Sequence, residues 1–116
     1  YLDVYGDSNS FGKKIGGDII ENKKTILFHY AMSNGSVNEK KELLKWYGKR
    51  TGYELGNKKI DLVKSIFDKT NTGEACRELV NDYTIKAFKK LSHLNISQDA
   101  KNIFKNFGNN LMKRKF

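Results

Sequence analysis

The chain has 116 residues, of which 38% are hydrophobic and 30% are charged, so it fits one globular unit and not a disordered segment. A formal net charge of +9 predicts anionic partners, namely phosphorylated small molecules, nucleic acid or an anionic surface. No apolar run reaches membrane-spanning length, and a single cysteine, Cys76, permits no internal disulfide, which favours a cytoplasmic location.

The first 25 residues hold the most informative stretch. Residues 1–5 are expected to form the last turn of a helix that ends at Gly6, and a polar turn with Asp7 follows. Residues 11–25 then combine three glycines with four lysines around Asp18. Glycine allows close backbone approach and lysine supplies charge for phosphate oxygens, so the stretch predicts a diphosphate-binding segment. A solvated surface loop remains an equal alternative on composition alone.

Three helices are predicted next. The first runs from about Lys24 to Ser33 and is apolar on most faces, which indicates burial on all sides. Ser36 and Glu39 have the spacing of a capping box and open the second helix, which ends near Gly52. Asn57 is expected to cap the third helix. The apolar faces of the second and third helices are predicted at Leu43, Leu44 and Tyr47, and at Ile60, Val63, Ile66 and Phe67.

Two longer helices complete the predicted order. A break at residues 71–73 precedes a helix with Glu74 in its first turn, and residues 93–97 form a loop in which Ser97 caps the last helix. Their apolar faces are predicted at Ala75, Leu79, Tyr83, Ala87 and Leu91, and at Ala100, Ile103, Phe104, Phe107 and Leu111. No strand alternation is found, so the predicted fold is all-α with about five helices.

Several residues are assigned structural roles. Trp46 and Tyr47 are expected to pack in the core, and Cys76 is expected to be an inert buried thiol. His29 and His93 lack metal-ligand spacing. Lysines interleaved with glutamates between residues 40 and 59 are predicted to form a solvated face; these are Lys40, Lys41, Lys45, Lys49, Lys58 and Lys59.

Asp3 is followed by Gly-Lys-Lys-Ile-Gly-Gly-Asp at residues 12–18 and by Lys23, five residues after Asp18. Together these three elements resemble the trans-polyprenyl diphosphate synthases, which include the farnesyl and geranylgeranyl diphosphate synthases. Asp3 matches the last aspartate of the family's second Asp-Asp-x-x-Asp motif. Residues 12–18, Gly-Lys-Lys-Ile-Gly-Gly-Asp, match its Gly-Lys-x-x-Gly-x-Asp segment, and Lys23 matches the lysine five residues later. The family's chains are more than twice this long, so residues 1–116 are expected to be the C-terminal part of one polyprenyl synthase domain, truncated at the second motif.

The resemblance implies the helical isoprenoid synthase fold and a Mg²⁺-dependent prenyltransferase. Such an enzyme condenses an allylic diphosphate with isopentenyl diphosphate, and full-length members are usually dimers. The 116-residue piece is expected to be inactive by itself. A non-catalytic homologue and, less favoured, a basic helical nucleic-acid-binding module are the alternatives.

The resemblance also implies roles for particular residues. Lys23 and Lys13, or Lys14 in place of Lys13, would bind the leaving diphosphate. Asp3 would lie beside the metal ions, or would contact only metal-bound water. Asp18 would be an outer-shell partner, with a helix N-cap as the alternative role. Thr25 would cap the next helix. The basic end would meet the diphosphate of the second substrate, or would only suit a helix C-terminus; it comprises Lys113, Arg114 and Lys115.

Overall fold

A computed structural model of the chain describes residues 1–6, 15–48 and 53–112. These residues form seven α-helices and no strand, as the all-α prediction requires. Five of the helices have nine or more residues, and two are single turns. In chain order they are α1 (Leu2–Tyr5), α2 (Gly17–Ile20), α3 (Ile26–Asn34), α4 (Val37–Tyr47), α5 (Tyr53–Lys69), α6 (Thr72–Ser92) and α7 (Gln98–Met112).

Several predicted helix boundaries are confirmed. Gly6 is the C-cap of α1, and its N–H donates to the carbonyl of Leu2, although Gly6 is extended and not left-handed. The capping box at the start of α4 is present: Ser36 Oγ accepts from the N–H of Glu39, and Glu39 Oε2 accepts from the N–H of Ser36. Glu74 lies in the first turn of α6, and Ser97 Oγ accepts from the N–H of Ala100 at the start of α7.

Other boundaries differ from the prediction. Helix α3 begins at Ile26 and not at Lys24, because Thr25, its N-cap residue, has an extended backbone with φ −74° and ψ 178°. Helix α4 ends at Tyr47, before the predicted Gly52, and Asn57 lies inside α5 and does not cap it. The break after α5 is shorter than predicted, since α6 begins at Thr72.

The chain divides into two units, and residues 1–76 form the first. Within it α5 packs against α2, α3 and α4, and α1 packs against α2. The rings of Phe28 and Tyr47 lie 4.4 Å apart between α3 and α4. Leu44, predicted to face the core, is 54% exposed, whereas its neighbour Trp46 is buried. The buried hydrophobic residues are Val4, Ile19, Leu27, Phe28, Ala31, Leu43, Trp46, Tyr47, Val63, Ile66, Phe67 and Cys76.

The second unit begins at Arg77 and contains most of α6 together with α7. The two helices approach each other at Gly108, where a Cβ atom would lie 2.7 Å from Phe88 Cε1. Lys101 Nζ also donates to the carbonyl of Ser92 at 2.8 Å. None of the described residues of this unit is buried, so the predicted apolar faces of α6 and α7 are largely exposed. No helix among the described residues combines the length and apolar composition that crossing a membrane requires.

Candidate functional site

Asp3 on α1 lies against the beginning of α2. Its Oδ2 atom accepts a hydrogen bond from the backbone N–H of Asp18 at 2.9 Å, and its carbonyl oxygen accepts one from the N–H of Gly16 at 2.7 Å. The first N–H groups of a helix have no partner inside the helix, so the Asp3 carboxylate supplies one from outside. Asp3 therefore joins α1 to α2 and places Asp18 beside itself.

Lys23 follows α2 and turns back toward it. Its Nζ atom lies 2.8 Å from Asp18 Oδ1 and 2.9 Å from Glu21 Oε2, and its backbone N–H donates to the carbonyl of Asp18 at 2.9 Å. The hydrogen bonds to Asp18 and then to Glu21 raise the pKa of Lys23 above its ordinary value. The side chain is 55% exposed. Lys23 thus presents a permanent positive charge that a dissolved anion can reach.

Three of the predicted site residues are therefore brought together, namely Asp3, Asp18 and Lys23. The N-cap alternative for Asp18 is wrong, because the N-cap of α2 is Gly16 and Asp18 lies inside the first turn. Thr25 occupies the N-cap position of α3, but its side chain makes no capping hydrogen bond. The other predicted positions lie outside the described residues; these are Asp7, Lys13, Lys14, Lys113, Arg114 and Lys115.

The carboxylate oxygens of Asp3 and Asp18 lie near Lys23 and are of the kind that bind hard cations. In the portion of the chain that the structure describes, no group of three or more His, Cys, Asp or Glu residues could hold a metal ion. Mg²⁺, however, is commonly bound through one or two carboxylates together with water and substrate phosphates. Asp3 and Asp18 each engage one carboxylate oxygen in the contacts above. Asp3 and Asp18 therefore supply carboxylate oxygens of the kind that such a site uses.

Sequence reasoning missed a buried residue, Lys59, that contacts the turn between Asp18 and Lys23. Lys59, predicted to lie on a solvated face, is fully buried. It donates to the carbonyl of Ile20 and to Oδ1 of Asn22, and its ammonium group lies 5.7 Å from the ring centroid of Tyr47. The signal was available in the helix period: Lys59 lies four residues before the buried Val63, on the apolar face of α5.

Tyr47 is also affected by the site. Burial, followed by the negative charges of Asp18 and Asp3, raises the pKa of the Tyr47 hydroxyl to about 12. A group whose pKa is higher in the folded than in the unfolded chain stabilises the fold at pH values below its unfolded pKa. This stabilisation is lost as the pH rises toward the folded pKa. Alkaline pH above about 10 should therefore destabilise the fold through Tyr47.

We expect Tyr47→Phe to weaken this alkaline sensitivity. The fall in the free energy of unfolding between pH 9 and pH 11 should be smaller by about 1 kcal/mol in the variant, because phenylalanine has no hydroxyl to ionise. Urea unfolding of the 116-residue chain at the two pH values measures the difference. An equal fall in the variant and the unsubstituted chain would contradict the raised pKa.

The comparisons with known proteins identify the family. A family model described as polyprenyl synthetase matches residues 1–70, more than half of the chain. The chain belongs to the polyprenyl synthetase family. The short chain isoprenyl diphosphate synthase of Methanocaldococcus jannaschii is 41% identical over 49 residues, which are 42% of this chain and 15% of that protein.

A solved structure extends the similarity to the whole chain. The crystal structure of a geranylgeranyl pyrophosphate synthase matches with a TM-score of 0.83 and 34% sequence identity. The match covers 100% of this chain and 36% of the synthase chain. The all-α polyprenyl synthase fold is thereby confirmed, and the chain spans only about a third or less of the length of these two relatives.

Proposed function

We propose that residues 1–116 are the C-terminal part of a Mg²⁺-dependent polyprenyl diphosphate synthase. The observation that carries the proposal is the exposed Lys23 ammonium group, held 2.8 Å from Asp18 beside Asp3, in a member of the polyprenyl synthetase family. The similarity of the whole chain to a geranylgeranyl pyrophosphate synthase supports it. The family match also favours a synthase over a basic nucleic-acid-binding module.

The proposed substrates are an allylic prenyl diphosphate and isopentenyl diphosphate. The C–O bond of the allylic diphosphate breaks, and its electron pair leaves with the diphosphate. The double bond of isopentenyl diphosphate then attacks the allylic carbon to form the new C–C bond, and a proton is lost. Charge on the departing diphosphate rises during the first step, so fixed positive groups that face it lower the barrier.

Lys23 is assigned to this departing diphosphate. Its ammonium group is already charged and exposed, and only its two exposed ion pairs need to be exchanged for phosphate oxygens. Lys13 or Lys14 would contact the same diphosphate, and Lys113, Arg114 and Lys115 would meet the diphosphate of the second substrate.

Asp3 and Asp18 would contribute to holding Mg²⁺, which when bound neutralises charge on the diphosphate. Asp18 has a second role that the geometry supports: its Oδ1 orients the Lys23 ammonium group. Asp3 in turn places Asp18 through the hydrogen bond to its backbone N–H.

The test is a condensation assay on the protein expressed from the complete open reading frame. Allylic diphosphates of several lengths are incubated with radiolabelled isopentenyl diphosphate and Mg²⁺, and the prenyl products are separated by chain length. We expect a longer prenyl diphosphate from that protein and none from the 116-residue chain. A folded full-length protein without condensation would favour the non-catalytic homologue, and condensation by the 116-residue chain would show that it lacks nothing essential.

Two further features belong to the same proposal. We place the synthase in the cytoplasm, where the buried free thiol of Cys76 would stay reduced. We also propose a homodimer, as the family resemblance implies. Light scattering of the full-length protein measures its oligomeric state.

A further inference from the structure

The buried lysine of α5 has no part in the roles proposed above. Lys59 is fully buried, and its ammonium group donates to the carbonyl of Ile20 at 3.5 Å and to Oδ1 of Asn22. The Tyr47 ring centroid lies 5.7 Å from the same atom. A buried charge is costly unless polar groups replace its water, so these contacts determine where the ammonium group lies.

The contacts of Lys59 converge on the turn that leads to Lys23. Ile20 is the last residue of α2, where backbone carbonyls lack a partner inside the helix. Asn22 has a φ of 58°, a left-handed conformation that few residues other than glycine, asparagine and aspartate adopt. Lys59 therefore binds both sides of Glu21, immediately before the chain turns back and Lys23 pairs with Asp18.

We propose that Lys59 is a positioning residue, which holds the Ile20–Asn22 turn in the conformation that presents Lys23 to the diphosphate. The inference rests on the proposed function, because the diphosphate is the anion assigned to Lys23. Lys59 is fully buried and cannot reach a dissolved diphosphate itself, so it acts through Lys23. Its removal should therefore affect the site more than it affects the fold.

The test compares Lys59→Met with Lys58→Met in the protein expressed from the complete open reading frame. Methionine keeps most of the buried volume and removes the ammonium group, and Lys58 is the exposed neighbour on the same helix. We expect Lys59→Met to lower kcat/KM by about 10- to 100-fold through misplacement of Lys23. Lys58→Met should stay within about threefold, as surface substitutions do. Equal values for the two variants would overturn the proposal.

A double substitution separates positioning from a general loss of structure. In a Lys23→Ala background, Lys59→Met should have little further effect, because no ammonium group remains to be placed. A loss of the same size in both backgrounds would overturn the proposal. If Lys59→Met fails to fold, the Asn22→Gly variant is measured instead. It removes the Oδ1 atom that accepts from Lys59 and keeps the left-handed conformation accessible. Unchanged kinetics in Asn22→Gly would then count against Lys59.

Calorimetric binding of inorganic pyrophosphate with Mg²⁺ distinguishes this proposal from the proposed function. A full-length protein that binds pyrophosphate without condensing prenyl substrates would overturn the synthase function alone. The affinities of the Lys59→Met and Lys58→Met variants for pyrophosphate then test the positioning role of Lys59. Loss of affinity in Lys59→Met alone supports it, and a protein that neither condenses substrates nor binds pyrophosphate overturns both.

Discussion

Lys23→Ala is expected to lower the turnover of the full-length protein by about 10²- to 10³-fold, the usual effect of removing one group that stabilises transition-state charge. The substitution removes the positive charge and also leaves Asp18 and Glu21 to repel the diphosphate. Because charge on the diphosphate grows as the C–O bond breaks, kcat should fall more than KM rises. Steady-state kinetics at saturating Mg²⁺ measure both constants.

The fold should be nearly unaffected by this change, since exposed ion pairs contribute little to stability. Lys45→Ala is the matched control, because Lys45 is also an exposed lysine paired with a carboxylate, Glu42, at 3.2 Å. Circular dichroism should show the same helix content in both variants. Near-normal turnover of Lys23→Ala would remove Lys23 from the diphosphate site.

Gly16→Ala should destabilise the first unit by about 2–5 kcal/mol, from the combined cost of backbone strain and overpacking. Gly16 has a φ of 88°, and a Cβ atom there would lie 2.5 Å from Ile60 Cδ1 and 2.6 Å from Ile60 Cγ1. Either α2 must move away from α5 or Ile60 must leave its position. Thermal and urea unfolding of the 116-residue chain, followed by circular dichroism, measure the loss.

Gly56→Ala is the control, because Gly56 lies on α5, where this helix packs against α2. A Cβ atom at Gly56 would lie 3.4 Å from Ile20 Cδ1, an ordinary contact, and Gly56 lies within a helix. Alanine should therefore be neutral or stabilising by up to about 1 kcal/mol there. Equal stability of Gly16→Ala and Gly56→Ala would show that the close approach at Gly16 is not required.

The fold was largely predictable where local chemistry decides it. The capping box at Ser36 and Glu39 and the cap at Ser97 depend on residues three positions apart, and both are present. The period of α5 correctly predicted Val63, Ile66 and Phe67 as buried. The end of α4 was mispredicted because two glycines follow Tyr47, and the nearer one, Gly48, is the C-cap. Leu44 was misassigned because its side of α4 is left exposed.

The site was predictable to the extent that its residues are adjacent in sequence or belong to a family motif. Motif order and spacing predicted Asp3, Asp18 and Lys23 as site residues, and the structure brings the three together. Glu21 was not, although it lies two residues before Lys23 and pairs with it at 2.9 Å. Lys59 could not be linked to the site by spacing alone, since its contacts with Ile20 and Asn22 span 39 and 37 residues.

Residues 11–25 show most clearly which features were predictable from the sequence and which depend on how the helices pack. The residues alone predicted an all-helical chain with a net positive charge and a glycine- and lysine-rich segment with Asp18 at its centre. They also predicted that the glycines would allow close backbone approach. What Gly16 approaches could be read only from the folded chain: it lies against Ile60 of α5, since a contact between distant segments depends on how the helices pack. The same packing buries Lys59 beneath the turn before Lys23, because α5 turns that face toward α2.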